Sequence, residues 1–187
     1  MPHRIRYTMK QNPFTDKLDG IVEADETYIG GKRYCMSGSK AHKLPVVSLL
    51  QRDGKVRSFH MLRVTAKNLK SVIHENVSPD YDGFTSWLYW ACEKVCRTSN
   101  SEPHMAHEYA RGPAHVNTAE GYFSLLKRGI YGTFHHVSKQ HLHRYLAEFD
   151  FRYNTRKATD SERTMLAVRQ VDGKQLQYWI KPCDLSL

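Results

Sequence analysis

The chain has 187 residues, 40% hydrophobic and 25% charged, the makeup of a globular protein long enough for one domain with its own core. It carries 28 Lys+Arg against 19 Asp+Glu, a formal net charge of +9 and a pI near 9.4, which favours polyanionic partners, nucleic acid before an anionic membrane surface. No apolar run approaches the roughly 18 residues of a membrane span, no apolar stretch follows the basic start to make a secretory signal, and four cysteines without a signal point to reduced thiols in the cytoplasm.

Residues 20–30, "GIVEADETYIG", alternate apolar and acidic side chains and predict a strand stopped by Gly30-Gly31. A polar, basic loop follows. The segments "LPVVSLLQR" and "VRSFHMLRV" predict two further strands, split by the hairpin signal Asp53-Gly54. Thr65 is placed to cap a helix in "TAKNLKSVIHENV", with Leu69, Val72 and Ile73 as its apolar stripe. Residues 80–104 have neither period, although their place in the order calls for another strand. In residues 115–132, Asn117 or Thr118 can cap a helix on which Tyr122, Phe123, Leu126 and Ile130 form one face. Glu120, Ser124 and Lys127 share the other face. Residues 138–154 predict a helix capped by Ser138, with Leu142, Tyr145, Leu146, Phe149 and Tyr153 as its buried stripe. A last helix is expected from Ser161, and the tail after Gly173 is short.

Glu23 and Asp25, two apart on a strand, point to one face, with Glu26 beside them. Three acids in four residues are costly unless solvated or balanced by cations. An exposed polar edge strand would meet that condition, and so would a site for a hard cation such as Mg²⁺, which takes one or two carboxylates and keeps its water and phosphate ligands. A basic chain with acids gathered on one strand suits an enzyme that cuts nucleic acid, cations holding the backbone while carboxylates hold metal. The histidines at 135, 136, 141 and 143 lack zinc-site spacing, and Cys92 and Cys96 have no partner pair, so these histidines read as helix-surface or phosphate-contacting groups.

The blocks "VEADETYIGGK" (22–32), "HEYARG" (107–112) and "HVNTAEGYFSLLKRGIYGTFHHVSKQHLHRYLAEFDFRYNTR" (115–156) resemble bacterial insertion-sequence transposases of the DDE class, ISXO-type. The likeness runs from about residue 18 to 170, between an N-terminal remnant (1–17) and a C-terminal tail (171–187). The resemblance implies an α/β, ribonuclease H-like fold: three antiparallel strands, a helix, a parallel strand, then a helix bearing a carboxylate. It implies Asp25 and Glu120 as catalytic, metal-holding residues, and Lys127 as the cation that holds DNA beside two Mg²⁺ ions. Arg128, Lys32 and Arg33 are further DNA-binding candidates, and a homo-oligomer is a possible assembly. The zinc-ribbon and helix-turn-helix region usual in the group is not seen before the first strand.

The group's second catalytic Asp has no counterpart in its usual context; Asp82 is a poor substitute, and Asp80 is the other nearby acid. The genetic code offers a reason. Permitted codons for Asp80 through His104, read one nucleotide later, include "TMTDLRHGYIGLVKKYAGHQTVNH", which resembles the missing strand and its "TD". The tryptophan codons have no freedom, yet Trp87 and Trp90 both yield glycines where that string has them. The expectation is a frame-damaged transposase that performs little strand transfer; the alternative is a non-catalytic DNA-binding remnant or regulator of transposition.

Overall fold

The computed structural model describes residues 2–10, 17–30, 43–78 and 117–174. Among these, three strands form an antiparallel sheet in the order β1 (Val22–Ile29), β2 (Leu44–Gln51), β3 (Val56–His60). The β2–β3 hairpin turns at Asp53, whose φ of 59° is left-handed, a conformation short polar residues tolerate, and Gly54 N–H closes the turn on the Gln51 carbonyl. The register sets Asp25 opposite Ser48 and Ser48 opposite Ser58, so one polar row crosses the sheet.

The two faces of the sheet differ. Val22, Ala24, Val47 and Leu49 pack under α2 (Ala66–Asn76), which buries Leu69 and Ile73 against them. Thr65 caps α2 as predicted, its side chain accepting from Asn68 N–H. The opposite face carries Ile29, Val46, Leu50 and Val56, covered by α3 (Asn117–Arg128) and α4 (Leu142–Asn154) through Tyr122, Phe123, Leu126, Leu146 and Phe149. Each such side chain contributes roughly 1.5–3 kcal/mol by leaving water. The stripes predicted for α2, α3 and α4 are the buried ones, apart from the half-buried Val72, Tyr145 and Tyr153.

Between α3 and α4 the chain makes a π-helical turn, Gly129–Phe134, which no sequence pattern announced. Gly129 is needed there, because a Cβ would run into the Phe149 ring of α4. A helix α1 (Pro2–Thr8) packs on α4 through Arg6, which pairs with Glu148 at 2.6 Å and lies 4.0 Å over the Tyr145 ring. The last helix, α5 (Asp160–Arg169), opens with a capping box between Thr159 and Glu162.

Helix α4 also finishes the open side of β3, running antiparallel to it. Asn154 accepts from Val56 N–H and donates to the Val56 carbonyl, and Asp150 accepts from Ser58 N–H. Side chains thus take the ladder bonds that a neighbouring strand would take, which blunts an edge otherwise prone to pair with another chain.

Two predicted helix starts need correction. Ser138 does not cap α4: residues 138–141 form a turn in which the Ser138 carbonyl accepts from His141 and Leu142, and the helix begins at Leu142. α5 begins at Asp160 under a Thr159 cap rather than at Ser161, because the box needs Glu162 three residues beyond its cap. Asp82, Lys32, Arg33 and the whole of residues 80–104 lie outside the described residues. No described helix is long and apolar enough to cross a membrane.

Candidate active site

Two side chains on β1 reach the start of α3 from the same face, and they are treated in opposite ways. Glu23 is fully buried, with a relative exposure of 0%. Its Oε2 accepts from the backbone N–H groups of Thr118 (3.0 Å) and Ala119 (3.1 Å), and its Oε1 accepts from the Thr118 hydroxyl at 2.9 Å. Arg52, at the end of the β2 hairpin, donates to the same Oε1 through Nε and Nη2, each at 3.1 Å. The first orphan N–H groups of α3 therefore take a carboxylate from another element 95 residues earlier, where the helix dipole favours negative charge. Asn117 or Thr118 was expected to start this helix by capping it; Glu23 supplies the acceptor instead. The acid cost foreseen for this strand is met here by a cation and a helix end.

Asp25, one step along the same face, is half-buried and only partly satisfied. Its Oδ1 accepts from Glu26 N–H at 2.8 Å. No other hydrogen bond to its carboxylate, and none to that of Glu120, occurs among the described residues. Burial pushes the Asp25 carboxyl above its ordinary value; the hydrogen bond from Glu26 opposes this, the charge of Glu120 adds to it and that of Lys127 offsets it. The Asp25 carboxyl on β1 thus feels the charges of Glu120 and Lys127 on α3. Glu120 and Lys127 are exposed on the same side of α3, about 10 Å apart along the axis for a separation of seven residues. Arg128 is exposed beside them.

Glu26 points to the other face and takes no part in this cluster; burial raises its pKa, as does the Asp25 charge. Tyr131, from the π-helical turn, holds the end of β1 by donating to the Gly30 carbonyl and accepting from Gly30 N–H. Sequence reasoning missed Tyr131 and the roles of Glu23 and Arg52. The one available signal was the improbable cost of three acids on one strand.

The donor set suits a hard cation. Two carboxylates, one exposed and one with an oxygen left open, match what Mg²⁺ takes from protein. Among the described residues no group of three or more His, Cys, Asp or Glu side chains could hold a metal.

Compared with known proteins, the sequence matches the ISXO2-like transposase domain over residues 17–154. No curated protein and no solved structure matches it. The matched span contains the whole sheet, α2, α3, α4 and both Asp25 and Glu120. The chain belongs to the ISXO2-like transposase domain family, a group of insertion-sequence transposases of the DDE class.

Proposed function

We propose that this chain is the catalytic domain of a DDE transposase with a ribonuclease H-like fold, built to cleave DNA and transfer its strands, and that as written it has lost most of that turnover. The observation supporting the first half is the family match over residues 17–154, which takes in both Asp25 and Glu120; the charges of Glu120 and Lys127 also act on the Asp25 carboxyl. Asp25 and Glu120 would hold divalent metal, Mg²⁺ being the expected ion. Bound metal supplies charge stabilisation at a phosphodiester and a polarised oxygen nucleophile. The chain's own contributions are separate. Asp25 and Glu120 present oxygens from two rigid elements, Glu23 fixes where α3 begins, and Lys127 and Arg128 offer cations to the DNA backbone. Lys32 and Arg33 follow directly on β1 in sequence and join the same role.

The second half rests on residues 80–104. In sequence they do not write the strand that should bear a second Asp, and reading their permitted codons one nucleotide later does. Asp82 does not replace it, and a two-metal site missing one carboxylate loses the geometry its chemistry needs. The non-catalytic reading, a DNA-binding remnant or regulator, is favoured by this same segment.

The test is a strand-transfer assay on the purified chain and on a version in which residues 80–104 are replaced by "TMTDLRHGYIGLVKKYAGHQTVNH". The expected result is DNA binding by both and Mg²⁺-dependent transfer only by the second. Robust transfer by the chain as written sinks the loss of activity. Failure of the repaired chain to cleave any end of its own element sinks the catalytic reading.

A further inference from the structure

Away from Asp25 and Glu120, at the opposite edge of the sheet, cations gather that form no ion pair among the described residues. His60 closes β3, Lys139 and His141 lie in the turn before α4, and His143 and Arg144 begin α4. His3, from α1, stacks on His141 with ring centroids 4.4 Å apart. The antiparallel run of α4 along β3 explains the gathering. Asn154 meets Val56 and Asp150 meets Ser58, so the next turn of α4 toward its start comes over His60.

What marks this cluster is unmet hydrogen-bonding capacity. Arg144 Nε and Nη1, His60 Nε2, His141 Nδ1 and His3 Nδ1 are all out of contact with water and have no hydrogen-bond partner. An unpartnered buried donor costs about 1–3 kcal/mol, more on a charged group, so the two Arg144 atoms are a standing cost in the free protein, while each histidine nitrogen can be the proton-free one of its ring. Arg6, the nearest arginine on α1, differs: its charge is matched by Glu148. Arg144 has no such acid among the described residues.

We infer that this cluster is a second phosphate-binding site, which holds the backbone of duplex DNA at the β3 edge of the sheet. The half-buried guanidinium of Arg144 carries a charge with no acid partner among the described residues and can offer it to a phosphate. The exposed Lys139 and His143 can meet its neighbours. By register His60 lies beside Val46, and Val46 beside Thr27, so the cluster is two strands away from β1. At about 4.8 Å per strand that is roughly 10 Å across the sheet, about three phosphate steps along one strand of a duplex. One duplex thus has the reach to contact both places.

Apart from Glu148, which pairs with Arg6, the charges acting on these histidines are cationic. Burial holds His3, His60 and His143 below the ordinary histidine value, and nearby cations lower them further. For His143 these are Arg144, Lys10, His141 and His60. For His60 it is Lys139, and for His3 they are His141, Arg144, Arg6 and the amino terminus. A bound phosphate reverses that bias and favours the protonated rings. Binding therefore takes up protons, and affinity rises as pH falls from about 8 to about 6.

This site rests on the chain being a DNA-handling protein, and its test separates the two claims. Binding of a labelled duplex is measured against salt for the whole chain and for R144Q, R144K, H143Q and K127Q. R144Q should weaken binding about tenfold and reduce the salt slope by about one, while R144K, which keeps the charge but not the guanidinium donors, keeps the salt slope and recovers only part of the affinity. H143Q should flatten the pH dependence. In spectra of the wild-type chain the ring signals of His60 and His143 should shift as duplex is added. Wild-type affinity and slope in R144Q, with those signals unmoved, overturn the second site; if K127Q then weakens binding, the transposase reading stands alone. Equal shifts with inorganic phosphate at matched ionic strength make it a free-anion site and overturn the duplex. A wild-type chain that binds no DNA overturns both claims.

Discussion

Asp25 and Asp150 face the same side of one sheet, near its opposite edges, and burial raises the pKa of both. They part company in how they are satisfied. Asp150 accepts from the Ser58 hydroxyl at 2.7 Å, the Tyr122 hydroxyl at 2.5 Å and Ser58 N–H at 2.8 Å; Ser58 also bonds to Ser48 across the strand. Every oxygen is used, between elements that the network locks together. Asp25 uses one oxygen on its own strand, and the other takes no hydrogen bond among the described residues, while the charge of Glu120 acts on it. A raised carboxyl pKa therefore does not by itself mark chemistry. A fully engaged acid is mortar, and an acid left open beside a second carboxylate and a lysine is available to a ligand.

Glu23 takes the first case to its limit, and breaking it should have the largest effect. Glu23→Ala removes the acceptor of the first N–H groups of α3 and one acceptor of Arg52, and breaking a largely buried pair costs about 3–5 kcal/mol. Urea unfolding of E23A should show an unfolding free energy lowered by that amount, through a lower midpoint at unchanged slope. A change below about 1 kcal/mol would mean that the end of α3 is held by something else.

Asp150 sharpens the comparison through pH. Its folded-state pKa of about 6 stands above its ordinary 3.8, so the folded chain binds more protons than the unfolded one between those values. The ionised form is thus penalised above pH about 6, and the penalty is relieved as pH falls toward about 4. A shift of about two units corresponds to about 3 kcal/mol. The stability of wild type relative to D150N should rise by nearly that much over the window. A flat difference would show that the three donors already offset the burial.

A smaller effect is expected at Gly129→Ala, where the new methyl meets the Phe149 ring. Forcing one carbon into a packed core costs about 1–3 kcal/mol, read as a lower thermal midpoint. The double variant G129A/F149L, which removes the ring, should recover part of the loss.

What the residues disclosed in advance follows the range of each interaction. The strands around Asp53-Gly54, the Thr65 cap and the Tyr122-Phe123-Leu126 stripe depend on neighbours within a turn, and all were legible. The true start of α4 was not, because Ser138 looked a sound cap while its carbonyl, rather than its side chain, organises a turn first. Asp150 hid beside Phe149 in a helical stripe, its partner Ser58 being 92 residues away. The role of Glu23 needed knowledge of where α3 would dock. Asp25 and Glu120 were marked by resemblance; spacing alone does not join two residues so far apart.

The smallest expected effect on stability belongs to the residue with the largest expected effect on function. Asp25→Asn removes the charge that burial, Glu120 and Glu23 all disfavour, and that the charge of Lys127 favours. Its amide oxygen can still accept from Glu26 N–H, the single hydrogen bond in place. Nothing that holds β1 to β2 or to α3 is lost, since those bonds belong to the backbone ladder and to Glu23. D25N should therefore unfold within about 0.5 kcal/mol of wild type, or slightly above it, while Mn²⁺ binding at the Asp25–Glu120 pair is abolished. Calorimetry with Mn²⁺ alongside thermal melting reads both quantities on one sample. If D25N melts as low as E23A, Asp25 is a structural acid like Asp150, and the distinction between the two edges of the sheet collapses.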